Sequence, residues 1–346
     1  MTNFTDLPDF DSLPPVKGMP QGCAWGIFDK EGKKDNLGTL NLLTPAVVRE
    51  ALKEARDGVS VSLNWGIGAI EKAAFGRKGL SHNLINFRDG EPSMWGFDDE
   101  VSFNPQCSSQ WDSLVHFGHQ NTGLCYNGCQ PATEDLVEAA RGTLGEDHPG
   151  FPTLDHWHAR GGLVGRGVLL DYRAYAKAKG IQYSCFDAHA ITVQDLEAVA
   201  VFQGTEFKHG DILIVRTGFT EDLGDANADE QQRLLGTNKT VGVAGNKETA
   251  RWVWDHHFAA VAGDAIAFEV MPPTLEEEGN RVGTMGELVL HQYFLALFGL
   301  PIGELWDLKA LSQQCKKAGR YEFLLTSAPL NVPSSVGSPP NALAIF

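Results

Sequence analysis

The sequence has no apolar run clean enough to span a bilayer. Its longest, LVLHQYFLALFGLPIG (288–303), is broken by His291 and Gln292, whereas a membrane helix needs about 20 predominantly apolar residues. It also lacks a basic cluster. Lys and Arg number 28 against 44 Asp and Glu, giving a formal net charge of −16 spread along the chain. A surface of that sign repels a phosphate backbone, so neither nucleic acid nor a membrane is an expected partner. Cysteine is scarce and scattered, six in 346 residues, which excludes a disulfide-stapled scaffold and leaves reduced thiols as the expectation. The opening MTNFTDLPDFDSLPPVKG has neither the basic start nor the apolar core of a signal peptide, and the chain reads as cytosolic.

Several chemical signatures are missing as well. There is no G-x-S-x-G elbow for a serine hydrolase and no H-E-x-x-H for a zincin helix. GGLVGRG (161–167) leads into the strand VLLDY instead of following one, the reverse of a dinucleotide loop. Cys125 and Cys129 have no second pair, which argues against structural zinc, and DHWH (155–158) without distant partners reads as surface polarity.

What is present is globular. Hydrophobic residues make up 42% and charged residues 21%, enough apolar side chain for a sizeable core and too much for disorder. The prolines of residues 1–20 forbid a regular helix, so this segment is expected as an extended arm; without repeats or a low-complexity linker, residues 21–346 are expected as one domain. Thr44 and Pro45 open a helix that Gly58 ends, and VSVSLNW (59–65) alternates like a half-buried strand. RGVLLDY (166–172), GDILIVRTG (210–218) and AAVAGDA (259–265) are short apolar runs expected as buried strands. Helices are expected from Thr192 and over roughly 246–257. Thr284 and Glu287 form a capping-box pattern before a helix expected to run to Gly299, and the C-terminal YEFLLTSAPLNVPSSVGSPPNALAIF gives two more strands. Residues 66–160, rich in Gly, Asn, Ser, His and Trp, read as loops on a scaffold, where chemistry is usually carried.

One stretch of those loops, QCSSQWDSLVHFGH (106–119), stands out. Asp112 and His116, four apart, can share a face or converge at a turn. Together they supply what a hydrolytic centre needs: a carboxylate for a cation and an imidazole free to move protons. A hydrogen-bonded Asp beside a half-buried His is the bland alternative. His291 in the apolar helix and Glu304 after GLPIG each require a buried partner, which backbone groups or a shared cation would satisfy.

These residues, with RGVLLDY, HGDILIVRTG, AGDAIAFE, LHQYFLALFGLPIGELWDL and PLNVPSSVGSPPNALAIF, resemble the long branch of the metal-dependent hydrolases called putative cyclases, to which bacterial kynurenine formamidase and isatin hydrolase belong. The likeness runs from about residue 35 to 346. It implies an α/β fold with a mixed sheet and helices of the swivelling β/β/α type, a homodimer or higher homo-oligomer with its site near a subunit boundary, and a small-molecule substrate. The family pattern H-x-G-T-H-x-D-x-P-x-H places metal ligands at Gln106, Gln110 and Asp112 and the acid/base at His116, with Leu114 in the proline position. Later ligands fall on His291 and Glu304, and a substrate-lining tryptophan on Trp25.

Two of those ligand positions depart from the family by holding amides where it has histidines. Amide oxygens are hard, neutral and weaker donors than imidazole, so the site is expected to prefer manganese, or magnesium, over zinc and to hold one divalent ion at most. The expectation is a metal-dependent hydrolase of a small N-acyl, cyclic amide or lactone substrate. A lyase or cyclase using the same site, or a ligand-binding relative that has lost the metal, are the alternatives.

Overall fold

The fold is that of a computed structural model in which residues 7–144 and 150–346 are described. Its centre is a nine-stranded mixed sheet. From one edge to the other the strands are Ser60–Ser62, Ala342–Ile345, Glu322–Ser327, Leu163–Asp171, Ile212–Arg216, Ala260–Gly263, Ile302–Glu304, Gln110–Asp112 and Gly337–Ser338. The four from Leu163–Asp171 to Ile302–Glu304 are parallel, and the flanking strands pair antiparallel. Leu169, Leu170, Leu213, Ile214 and Val261 are fully buried, which explains why these runs read as continuously apolar: a parallel strand is covered on both faces.

Local sequence chemistry sets most element ends. Val47 N donates to Thr44 Oγ1 at 3.3 Å to open the helix Pro45–Ala51. Thr192 and Asp195 exchange bonds of 2.9 and 3.2 Å to open Val193–Gln203. Lys247–Asp255 is capped by Asn246 and leads into the strand Ala260–Gly263. Gly299 ends the apolar helix at a φ of 71°, where a side chain on Cα would be strained. The expected strands over 166–172, 210–218 and 259–265 form within a residue or three of those bounds.

Several features differ from the sequence expectation: the helix opened by Thr44 ends at Ala51 and a 3₁₀ turn Leu52–Glu54, short of Gly58, and the C-terminal segment forms three strands instead of two. The box of Thr284 and Glu287 closes, but it makes only the 3₁₀ turn Met285–Glu287. The helix starts at Val289, after an extended Leu288 (φ −56°, ψ 121°), and widens from α into π-helical turns over Gln292–Phe298. A distant carboxylate caps it, as described below. Within 66–160 the structure also contains an antiparallel hairpin, Ser81–Asn86 with Phe97–Ser102. Nearly all of its residues are exposed, so no buried face imposed the alternation that marks a strand.

The described part of the N-terminal segment is pinned to the domain. Phe10 is fully buried, its ring 5.9 Å from Tyr293 and 6.1 Å from Phe298, and its amide donates to Asp255 Oδ1 at 2.6 Å. It packs on the helix that carries His291. No helix among the described residues is long and apolar enough to cross a membrane. Phe10→Ala is expected to cost about 3 kcal/mol, read as a lower urea midpoint at unchanged m-value.

Candidate functional site

The short strand Gln110–Asp112 lies antiparallel to Ile302–Glu304, with Gln110 opposite Glu304 and Trp111 opposite Gly303. Alternation along the strand therefore sends Gln110 and Asp112 to one face and Trp111 to the other. Trp111 is fully buried between Trp157 and Trp306, with ring centroids at 5.3 and 5.0 Å, and its indole N–H donates to Ser327 Oγ at 2.9 Å. This aromatic layer fixes the strand, and the strand aims the polar pair. Gly303 is required there: a Cβ on it would stand 2.9 Å from both Ala262 Cβ and Trp306 Nε1.

His291 arrives from the other side, one turn into its helix. The amides of Val289, Leu290 and His291 have no partner within the helix, and all three donate to the Glu269 carboxylate at 2.9, 3.0 and 2.8 Å. The same carboxylate lies 3.0 Å from His291 Nδ1. An Nδ1–H directed at Glu269 leaves Nε2 facing Glu304 Oε1 at 3.2 Å. Glu269 is fully buried. It closes the AGDAIAFE segment, and no role was legible for it in the sequence: a lone Glu after an apolar strand gives no sign that it caps a helix twenty residues on.

The side chains of Asp112, His291 and Glu304 bring ligand atoms within 4.8 Å of one another. Gln106 and Gln110 join them. Gln106 Nε2 donates to Asp112 Oδ1, and Gln110 Nε2 donates to Glu304 Oε2 at 2.7 Å and to Gln106 Oε1 at 3.2 Å. Burial opposes the His291 cation, but the carboxylates of Glu269 and Glu304 overcome it and hold the imidazole up to about 10. Burial and the Asp112 charge push Glu304 up to about 7 against the pull of His291. Two buried carboxylates thus share one cationic ring.

The donors fit a divalent cation. Gln110 Oε1 and Asp112 Oδ2 are buried oxygens without a hydrogen-bond partner among the described residues, and Glu304 Oε1 has only His291 Nε2 at 3.2 Å. Leaving such atoms unsatisfied costs about 1–3 kcal/mol each, more when charged. Two carboxylates, an imidazole oriented by a second carboxylate and amide oxygens form a hard, mostly oxygen set suited to manganese or magnesium.

His116 stands beside this cluster, Nε2 4.0 Å from Asp112 Oδ1. Burial lowers its pKa, only partly offset by Asp112, so the ring is neutral at neutral pH and able to accept a proton. His116 and Gln106 line a cavity of about 620 Å³, open to solvent, whose walls include Phe103, Val336, Arg77 and Lys78. His119 does not line it; its Nδ1 is 2.9 Å from Thr122 Oγ1. Trp25 does not line it either: its indole donates to Ala296 O at 2.7 Å and its ring rests on Gly128. Cys125 and Cys129 are free thiols in contact with each other, and DHWH forms the start of a short helix with Trp157 in the core.

Comparison with known proteins supplies a context for this geometry. The family model described as putative cyclase matches residues 39–270. A solved structure described as a novel cyclase is similar over 94% of this chain and 99% of its own, at 27% identity and a TM-score of 0.74. Isatin hydrolase A from Ralstonia solanacearum aligns over 87% of this chain and 97% of its own, at 16% identity and a TM-score of 0.56. The enzyme of the same name from Labrenzia aggregata aligns over 83% and 93%, at 14% and 0.54; at such identities these two report the fold alone. No curated protein matches. The mixed sheet and its helices are the swivelling β/β/α, cyclase-like fold.

Glu269→Gln should destabilise the protein by about 3 kcal/mol, since an amide cannot accept all four bonds and leaves His291 with Glu304 as its one buried counter-charge among the described residues. The raised pKa of His291 contributes stability that is fully present below its ordinary value of 6.5 and is lost as pH rises through about 10. In chelator-treated protein, the gap in urea stability between wild type and Glu269→Gln is therefore expected to narrow as pH is raised from about 6 toward 10.

Proposed function

The chain belongs to the putative cyclase family, and from that membership we propose that it is a metal-dependent hydrolase of a small N-acyl, cyclic amide or lactone substrate. The observation that carries this reading is the pair of unpartnered buried oxygens on Gln110 and Asp112, gathered with Glu304 and His291 next to a cavity that a small molecule can enter. Structural ion pairs close on themselves; this cluster leaves lone pairs over.

Asp112, His291 and Glu304, with the amide oxygens of Gln106 and Gln110, are the residues that would hold the ion. A divalent ion there would supply a Lewis acid for the substrate carbonyl and lower the pKa of water toward neutrality. Glu269 fixes the ring of His291 with Nε2 turned to the site, where a bound ion would take the place of the Nε2 proton. His116, neutral and at the cavity floor, takes the proton of the attacking water and returns it to the leaving nitrogen or oxygen. Phe103 and Val336 supply an apolar wall that favours a partly desolvated acyl group.

A second reading is favoured by the bonds from Gln106 to Asp112 and from Gln110 to Glu304, which place amide donors on carboxylate oxygens. It is a ligand-binding relative without the ion. Metal content separates the two, and product mass separates a hydrolase, which adds water, from a lyase or cyclase.

Protein prepared without chelator is expected to contain about one divalent ion per chain, to lose hydrolysis on chelation and to regain it best with manganese; stoichiometric metal absent from such preparations would favour the second reading. His116→Ala should lower kcat about a hundred- to ten-thousandfold at an unchanged circular dichroism spectrum. Because burial depresses the His116 pKa, the acid limb of kcat/KM should lie below the ordinary value of 6.5, and a bound cation shifts it the same way.

A further inference from the structure

The cavity above His116 has a feature that neither the family pattern nor the hydrolytic reading uses. Eight of the thirteen arginines pair with a carboxylate among the described residues; Arg49, Arg77, Arg88, Arg141 and Arg160 do not, and of these five Arg77 is the one that lines this cavity. Arg77 forms no ion pair among the described residues, although it is half-buried and lines the cavity. Its guanidinium lies 5.2 Å from the centroid of the Phe75 ring. Its positive charge adds to the lowering of the His116 pKa by burial and opposes the raising of the Glu304 pKa by burial and Asp112. The backbone beneath it is held by Asn104 N donating to Lys78 O at 2.9 Å, and the neighbouring ammonium of Lys78 is 2.6 Å from Ser102 Oγ.

From this arrangement we infer that Arg77 binds a carboxylate on the substrate, so that the substrate class is a small monoanionic acyl compound with its carboxylate at the cavity rim and its scissile carbonyl at the floor by His116. This deepens the hydrolase reading and rests on it. The planar guanidinium fork matches a carboxylate bidentately and keeps its charge at every physiological pH. Arg77 is the one guanidinium in the lining of this cavity, and its fork matches a single carboxylate. A volume of about 620 Å³ accepts an acylated amino acid with an aromatic or branched side chain. Arg77 also gives an acidic protein a local field that draws an anion to its cavity instead of repelling it.

The test uses matched pairs that differ only in charge: N-acetylphenylalanine and N-acetylleucine, each against its carboxamide, with binding measured by calorimetry with and without manganese chloride. The carboxylate is expected to bind about ten- to a hundredfold more tightly than the amide, with the preference shrinking as salt is raised. Arg77→Gln should bring the ratio to about one, and Arg77→Lys, which keeps the charge but not the fork, should leave an intermediate ratio. A wild-type ratio near one under both conditions, no measurable binding of either carboxylate, or a ratio that survives Arg77→Gln in folded protein would each overturn the assignment. If the ratio holds while no amide or ester is cleaved and no metal is found, the hydrolase reading fails and the carboxylate site stands.

Discussion

A single buried carboxylate organises the centre of this protein. Glu269 accepts the three amides that open the helix Val289–Phe298 and faces the imidazole of His291 with the same group. Helix start, ring orientation and ring charge are thereby one interaction. Without it, three backbone donors would be buried unpaired, at about 1–3 kcal/mol each, and His291 would be free to turn from Glu304. The chain needs this device because the helix is embedded in apolar core, with Leu290, Phe294, Leu297 and Phe298 all buried, where water cannot cap it.

The opposite half of the site is held by packing. Trp111, Trp157 and Trp306 form a layer behind the strand Gln110–Asp112, and the close approach at Gly303 lets Ile302–Glu304 lie against it. Apolar side chains on one face thus determine where two acidic groups meet on the other. This suits a site whose carboxylates repel each other: the repulsion is carried by a rigid sheet, which leaves the charge available to a cation. The amides at 106 and 110 soften the repulsion by donating to Asp112 and Glu304, while as ligands they would bind an ion less tightly than the family's histidines.

The cavity adds an asymmetry of charge. Its lining carries Arg77 and Lys78, while Gln106 and His116 in the same lining adjoin the buried carboxylate of Asp112. A neutral carbonyl and a terminal anion would therefore be drawn to opposite ends, which orients a substrate before any chemistry. Arg77 and His116, some forty positions apart in the sequence, come together because the 66–80 segment and the turns on either side of the strand Gln110–Asp112 line one cavity.

Much of this was legible in the chain itself. Apolar runs bounded by turn residues marked the parallel strands, because full burial on both faces leaves no room for alternation. Thr44, Thr192 and Gly299 marked element ends through local hydrogen bonding and backbone freedom, which need no tertiary partner. The order of motifs pointed to Gln106, Gln110, Asp112, His116, His291 and Glu304. The sequence could not express Glu269 as a cap, the late start of its helix, the exposed hairpin or an Arg77 with no ion pair among the described residues. Each depends on a partner, or the lack of one, far along the chain. Periodicity reports which side chains are buried; only the assembled sheet decides which buried charges face each other.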